Sequence, residues 1–378
     1  MTAASTAPVM IAGTGAIASI GADAATLYEN LCAGRSGLAP LRRFTPESHI
    51  SRHAYEIDDG GHPSGDIGRW LCAAIAEATA AAGLTEAELT AVPVLVGTGL
   101  RALRRAEVWW TGGATLSAPD LHFGPVLRER FGCTEVHTVN NACSAALYAL
   151  GLGADLLASG AHDTVIVAGV DTVTESMFGL LDRANGFGVD RVRPFDADRR
   201  GVLMGDGAAA VVLRRHGPAR ALLRSVALNC DAGHVTAPEG TGIRAAMRDA
   251  LTRAGIAPDQ VAVVFAHGTG TQLNDRTEAE ALAEIFCTAP CSGPLITAIK
   301  SMIGHTSGAS GLHSLVVAVE TLTHGVVPPI LGLATPAAEA SALRLCEQAT
   351  AATGITVAQV DAFGFGGVNA VALVEAAS

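Results

Sequence analysis

The sequence predicts an α/β protein on mainly parallel sheets, and three observations predict it. Short β-branched runs bounded by glycine alternate with longer Ala/Leu-rich stretches, the pattern of strands followed by covering helices. Hydrophobic residues make up 49% of the 378-residue chain but aromatics only 4%, so a large core must rest on Ala, Val, Leu and Ile. Gly (43 residues) and Ala suit helices packed closely on sheets. The two halves also echo one another. Gly205 opens Gly-Asp-Gly-Ala-Ala-Ala-Val-Val-Leu, and Gly366 opens Gly-Gly-Val-Asn-Ala-Val-Ala-Leu-Val, each a glycine turn feeding a buried strand.

In chain order, strands are expected at residues 9–12, 92–96, 136–139, 164–168, 208–213, 225–229, 261–266, 295–298, 359–363 and 371–374. Helices are expected at 68–82, 144–159, 243–254, 277–285 and 311–323, and residues 24–31 read as a helix. Ahead of each echoing segment come a strand, a reactive residue and a small-residue helix, with Cys143 in the first half and His305 in the second. A duplication with the site between the halves follows, divided as 1–217 and 218–378.

Composition excludes several classes. A net charge of −11 argues against non-specific nucleic-acid binding. The sequence has no basic N-terminal region before an apolar core and no uninterrupted apolar window of about 18 residues, so a soluble cytoplasmic protein without signal or membrane span is expected. The eight cysteines form no CxxC pair, and the Cys287/Cys291 spacing lacks a second half for zinc. Of 25 basic residues, 24 are Arg and one is Lys300, so a compact ammonium is wanted at that position alone.

Three segments carry candidate chemistry. Cys143, in Val139-Asn-Asn-Ala-Cys-Ser-Ala, stands where a strand ends and a helix begins, a position that favours a thiolate and offers N–H groups to an oxyanion. Taken alone, a buried inert cysteine is the commoner occupant. His267, in Phe265-Ala-His-Gly-Thr-Gly-Thr, is delivered by a hydrophobic strand into a Gly/Thr turn, where a core histidine would fit equally. His305 follows Lys300 by five residues in Lys300-Ser-Met-Ile-Gly-His. The three lie on different segments with no carboxylate at ligand spacing, so no metal is expected. Gly13-Thr-Gly-Ala-Ile-Ala imitates a dinucleotide fingerprint but lacks the acidic partner, and reads better as a tight strand-to-helix turn.

Taken together, these segments resemble the β-ketoacyl synthases of fatty-acid and polyketide biosynthesis. Met10-Ile-Ala-Gly-Thr-Gly, Leu31-Cys-Ala-Gly-Arg-Ser-Gly, Asn141-Ala-Cys-Ser, Arg193-Pro-Phe-Asp with Gly205-Asp-Gly, His267-Gly-Thr-Gly-Thr, Lys300-Ser-Met-Ile-Gly-His and Phe363-Gly-Phe-Gly-Gly-Val-Asn follow the family's blocks in order. The resemblance implies the thiolase fold, with duplicated halves in five αβαβα layers, and a decarboxylative Claisen condensation between a Cys-bound acyl group and a malonyl thioester. It implies Cys143, His267 and His305 as catalytic residues, with Lys300 ordering the histidines and paired with Glu278. Asp275 and Glu278 match the family's acidic pair. Oxyanion donors are expected at the backbone of Cys143 and Phe363, and Phe363 also matches the residue gating the acyl pocket. Thr269, Thr271, Phe365, Gly366 and Thr236 are expected to touch substrate, Thr236 from a second loop near the entrance.

The implied partners are an acyl carrier protein, which brings its own phosphopantetheine so that no resident cofactor is needed, and a second ketosynthase-like subunit, identical or not. Arg69, Arg101, Arg104 and Arg105 are candidates for docking an acidic carrier. Thiolases proper carry a second cysteine in the C-terminal glycine turn, and residues 363–369 have none. The acetyl-CoA-primed synthases carry Asn where His305 stands. Chain-length-factor subunits lack the nucleophile. Two other readings stay open: a ketosynthase-like acyltransferase making an ester or amide, and a non-catalytic partner subunit. The short stretch before Cys143, with Trp109-Trp110, departs from the family and leaves starter group and dimer packing open.

Overall fold

The computed structural model describes residues 8–352 and 354–377. Ten principal strands form two five-stranded units. The first comprises β1 (Val9–Ala18), β2 (Val94–Thr98), β3 (Val136–Asn140), β4 (Thr164–Asp171) and β5 (Gly207–Arg214), in the order β1-β5-β4-β2-β3. The second comprises β6 (Ala221–Cys230), β7 (Val263–Phe265), β8 (Leu295–Thr297), β9 (Val357–Gly364) and β10 (Val368–Ala376), in the order β6-β10-β9-β7-β8. Pairing repeats too. In each unit the first two contacts are antiparallel and the last two parallel. The echoing glycine segments are β5 and β10, which hold the same place in their units. β1 and β6 pair antiparallel through Val9–Leu223, Met10–Leu222 and Ile11–Ala221, joining the units into one sheet whose far end is extended by the short strand Arg344–Leu345.

The inner strands β4, β5 and β10 read as near-continuous apolar runs because both of their faces are covered. On β5, Ala209, Val211 and Leu213 enter the central core while Ala208, Ala210 and Val212 enter an outer one. On β10, Ala370, Ala372 and Val374 join the same central core while Val371 and Leu373 face the other side. The central layer is α5 (Ala145–Ala158) and α10 (Ser310–His324), whose Leu147, Leu150, Leu315 and Val319 are fully buried. The outer layers are α2 (Ile67–Ala81) on the first unit, and α7 (Gly240–Ala254) with α8 (Gln272–Phe286) on the second. Each buried Leu, Val or Ile contributes roughly 1.5–3 kcal/mol, so a core poor in aromatics is still strong. The thiolase architecture of helix and sheet layers is thus present.

Each expected strand overlaps one of these ten. The helical pattern did not disclose α3 (Leu103–Trp110), α4 (Gly124–Phe131) or α6 (Glu175–Asn185), which are short and less apolar. α1 (Ala24–Cys32) occupies the expected helix, capped by Asp23, which accepts from the Thr26 N–H at 2.7 Å. The turn expected at Gly13 is instead interior strand. A Cβ on Gly13 or Gly15 would stand 2.1 or 2.2 Å from the Ala78 or Ala74 carbonyl oxygen, so both glycines let α2 lie against β1. Among the described residues no helix is long and apolar enough to cross a membrane.

Candidate active site

β3 ends at Asn140, and the chain turns through Ala142 at φ 49°, a strained left-handed conformation, into the 3₁₀ turn Ala142–Ser144 and then α5. Cys143 thus sits at the head of a central-layer helix. His305 stands at the matching place in the second half, ahead of the 3₁₀ turn Ser307–Ala309 and α10. The two central helices pack together, which brings both residues to one end of the middle layer.

The glycine turn between β9 and β10 closes over the cysteine. A Cβ on Gly364 would lie 3.2 Å from the Cys143 nitrogen and 3.3 Å from the Ala142 Cβ, so glycine allows this approach. Two backbone N–H groups flank the sulfur, those of Cys143 and Phe365. The second differs from expectation. Phe363 is 5% exposed and its ring meets His267 edge-on at 5.8 Å, whereas Phe365 is 43% exposed at the mouth. Two residues further along the turn, the backbone has left the ladder and its N–H is free to point at the sulfur. The backbone N–H beside the sulfur and the exposed ring at the mouth are thus those of Phe365, not of Phe363. Gly366 donates its N–H to the Val235 carbonyl at 2.7 Å, tying the glycine turn to the loop that carries Thr236.

His267 follows β7, and its ring stands 5.4 Å from that of His305 at an interplanar angle of 83°. Lys300 heads the single turn α9 (Lys300–Ile303) and donates to the His267 carbonyl, with its ammonium 3.5 Å from His267 Nδ1. An ammonium only donates, so Nδ1 accepts and the ring proton sits on Nε2. The expected direct pairing of Lys300 with Glu278 is absent. Glu278 instead accepts the N–H groups of His267 at 2.6 Å and Gly268 at 2.8 Å, and meets Lys300 only through its field. Asp275 accepts the N–H groups of Thr269, Gly270 and Phe195 at 2.8–3.1 Å, so the acidic pair shapes the histidine loop. Thr269 and Thr271 share a hydroxyl contact of 2.9 Å beside it. His305 is 8% exposed, and neither of its ring nitrogens has a partner.

Burial dominates the electrostatics. It pushes both imidazoles well below their ordinary range, and the Lys300 charge adds to this, so both are neutral. It pulls Lys300 down and pushes Glu278 up. Burial also pushes the Cys143 thiol up to about 11, while Lys300 and the two N–H groups pull the other way. Cys143 keeps some accessible surface, but depth rather than contact area sets this shift. The thiolate expected from the helix terminus is thus outweighed by desolvation, and the resting sulfur is a thiol. Replacing Lys300 by Met should raise the thiol further and slow alkylation of Cys143 by iodoacetamide about three- to tenfold near neutral pH. Unchanged alkylation kinetics would remove Lys300 from the sulfur's environment.

The four arginines separate. Arg104 is 6% exposed and donates to Glu107, Glu175 and the Pro63 and Arg43 carbonyls, so it is a structural cation and cannot meet a carrier. Arg101 is turned onto the Leu121 carbonyl and His122. Arg69 and Arg105 are open, loosely paired with Asp66 and Asp120. Sequence reasoning missed Asp171 altogether. It is buried at the end of β4 and accepts from the Thr98 hydroxyl and the N–H groups of Gly99, Leu100 and Gly308 at 2.7–2.9 Å, linking the halves three residues beyond His305. No local pattern marks it, because its partners come from two distant loops. Among the described residues, no three of His, Cys, Asp and Glu gather as a metal set.

Comparison with known proteins agrees with this geometry. The family model described as the N-terminal domain of beta-ketoacyl synthase matches residues 131–219, and the C-terminal domain matches 220–334. Nodulation protein E of Rhizobium sp. (strain N33) is 30% identical, with 96% of this chain and 98% of that protein covered. The 3-oxoacyl-[acyl-carrier-protein] synthase 2 of Synechocystis sp. is 30% identical, with 96% of each covered. Among solved structures, the ishigamide ketosynthase/chain length factor superposes with a TM-score of 0.87 at 30% identity, covering 98% of this chain and 99% of that one. With both family domains matched in tandem and relatives aligned over nearly its whole length, the chain belongs to the β-ketoacyl synthase family and is an acyltransferase of the condensing kind.

Proposed function

We propose that Cys143 carries the acyl group and that His267 and His305 stabilise the enolate of a malonyl thioester. The observation that carries this reading is the pair of buried, neutral imidazoles set edge to face beside the cysteine, one of them with no protein partner. In the first half-reaction the sulfur attacks the acyl thioester carbonyl, a new C–S bond forms, the bond to the carrier sulfur breaks, and the carrier leaves as its thiol with the cysteine's proton. The Cys143 and Phe365 N–H groups would hold the oxyanion, and such a donor is worth about 10²–10³ in rate. In the second, the malonyl C–CO₂ bond breaks and its electron pair forms an enolate whose oxygen accepts from the two imidazoles. That carbon then attacks the acyl-cysteine carbonyl, the C–S bond breaks, and the released thiolate takes a proton from solvent. Neutral rings suit this step, since the enolate oxygen needs donors rather than a base.

The carrier protein supplies phosphopantetheine, and no resident cofactor is required. Arg69 and Arg105 are the docking positions that burial leaves open. A second ketosynthase-like subunit, identical or not, would pair along β3, the free edge of the sheet, where His137, Thr138 and Asn140 are exposed.

The test is mass spectrometry of a malonyl-loaded carrier after mixing with acyl-charged enzyme. Gain of the acyl group with loss of CO₂ is expected; an acyl-enzyme that leaves the malonyl arm untouched would overturn the condensing role. His305→Ala should lower decarboxylation about 10²–10³-fold while Cys143 acylation stays within a few-fold. Equal losses in both half-reactions would show that His305 does not act on the enolate.

A further inference from the structure

On β9, Gln359 and Asp361 sit two residues apart and so face the same side of the strand, the side that also carries Phe363. Both are buried, at 0% and 1% exposure. The Gln359 amide nitrogen donates to Asp361 Oδ1 at 2.9 Å. The remaining atoms of the two head groups, Gln359 Oε1 and Asp361 Oδ2, are buried with no partner. Both are acceptors if Asp361 is ionised, and two unpartnered acceptors side by side in a dry core are strongly disfavoured. A single proton on Oδ2 resolves both at once. It would close a cyclic acid–amide pair in which the amide N–H donates to Oδ1 and the acid O–H to Oε1.

We propose that Asp361 is a neutral carboxylic acid locked in this ring by Gln359, and that the pair positions the end of β9 for the reaction. Its reach is short. Phe363, two residues on, meets His267 edge-on, and Phe365, four residues on, turns its N–H to the Cys143 sulfur. The charged groups facing Asp361 are Glu278 on α8 and Lys300 on α9; burial and the Glu278 charge both favour the proton, and Lys300 opposes it. A neutral Asp361 leaves Lys300 with two nearby carboxylates, Glu278 and Asp275, rather than three. Its positive charge then stays turned toward the His267 carbonyl and keeps both imidazoles neutral.

Only the kinetic part of the test rests on the condensing reading. Infrared difference spectra of wild type against Asp361→Asn should contain the carbonyl band of a protonated carboxylic acid at neutral pH; a carboxylate signature in its place overturns the proposal. In kinetics, Asp361→Ala should lower kcat about tenfold with KM little changed, of the order expected when a buried hydrogen-bonded pair is broken. Asp361→Asn, whose amide can close the same ring, should recover most of that loss. The alkaline limb of the pH profile should overlay for wild type and Asp361→Asn, because no charge has been removed. A limb displaced to lower pH would mean that an anion supporting the Lys300 charge had been lost, and would equally overturn the proposal. If Asp361→Ala does not fold, the infrared comparison and the Asp361→Asn profile still decide. A protein that fails to condense but has the acid band would refute the condensing reading alone.

Discussion

Cys143→Ala is expected to abolish condensation, with turnover falling by at least about 10⁴-fold, the scale on which nucleophile knockouts act. The substitution removes the sulfur proposed to hold the acyl group between half-reactions. It should leave the fold intact, because Ala fits the 3₁₀ turn Ala142–Ser144, and Cys143 is not among the residues that build the cores. The histidine pair, Lys300 and Glu278 are likewise untouched, so slow uncoupled loss of CO₂ from a malonyl carrier should persist. Product analysis by mass spectrometry separates the two activities. Extended product from the Ala variant at more than a trace would assign acyl transfer to another residue and favour the reading of a partner subunit.

The second large effect is on stability. Asp171→Ala should destabilise the fold by about 3 kcal/mol or more, since each buried donor left without a partner costs roughly 1–3 kcal/mol. Four donors lose their acceptor at once, and Gly308 is released from the first half of the molecule. Denaturant unfolding measures the shift, and an unchanged midpoint would show that Asp171 fastens nothing. Burial raises the Asp171 carboxyl to about 6 from its ordinary 3.8. The folded state thus binds the proton more tightly than the unfolded chain, so stability contributed by this group grows as the pH falls from about 6 toward 4. The gap between wild type and the Ala variant should widen over that interval. Because Gly308 follows His305 by three residues, the variant should also lose enolate stabilisation beyond what its lower stability explains.

Much of this molecule could be read from the chain. The inner strands were legible because burial on both faces leaves mostly apolar residues over a short run, a local signal. The duplication was legible because β5 and β10 hold the same place in their units and meet the same packing demands. Cys143, His267, Lys300 and His305 could be singled out because each lies in a junction that leads from a strand into a helix, where function concentrates. The lone lysine among 24 arginines was a compositional clue of the same kind, and Lys300 is buried against His267.

What the sequence did not contain are the relations between segments. Whether Phe363 or Phe365 turns its N–H to the sulfur depends on where β9 leaves its ladder, and no one-dimensional pattern records that point. Arg104 and Arg105 are neighbours of identical chemistry, yet helix phase buries one and exposes the other. The sulfur's protonation follows from depth, which overrode the helix terminus that the sequence could foresee. Glu278 could be placed beside Lys300 by resemblance, but only packing decided that it would hold backbone N–H groups instead. Asp171 and Asp361 were invisible because a buried carboxyl is defined by its surroundings: the partners of Asp171 lie scores of residues away, and Asp361, though bonded to Gln359 two residues off, is buried by packing that no local pattern records. Sequence by itself determined the ten strands, the duplicated fold and the candidate reactive residues. Tertiary structure alone decided charge, protonation and which backbone donors face the sulfur, because these depend on distance and on the exclusion of water.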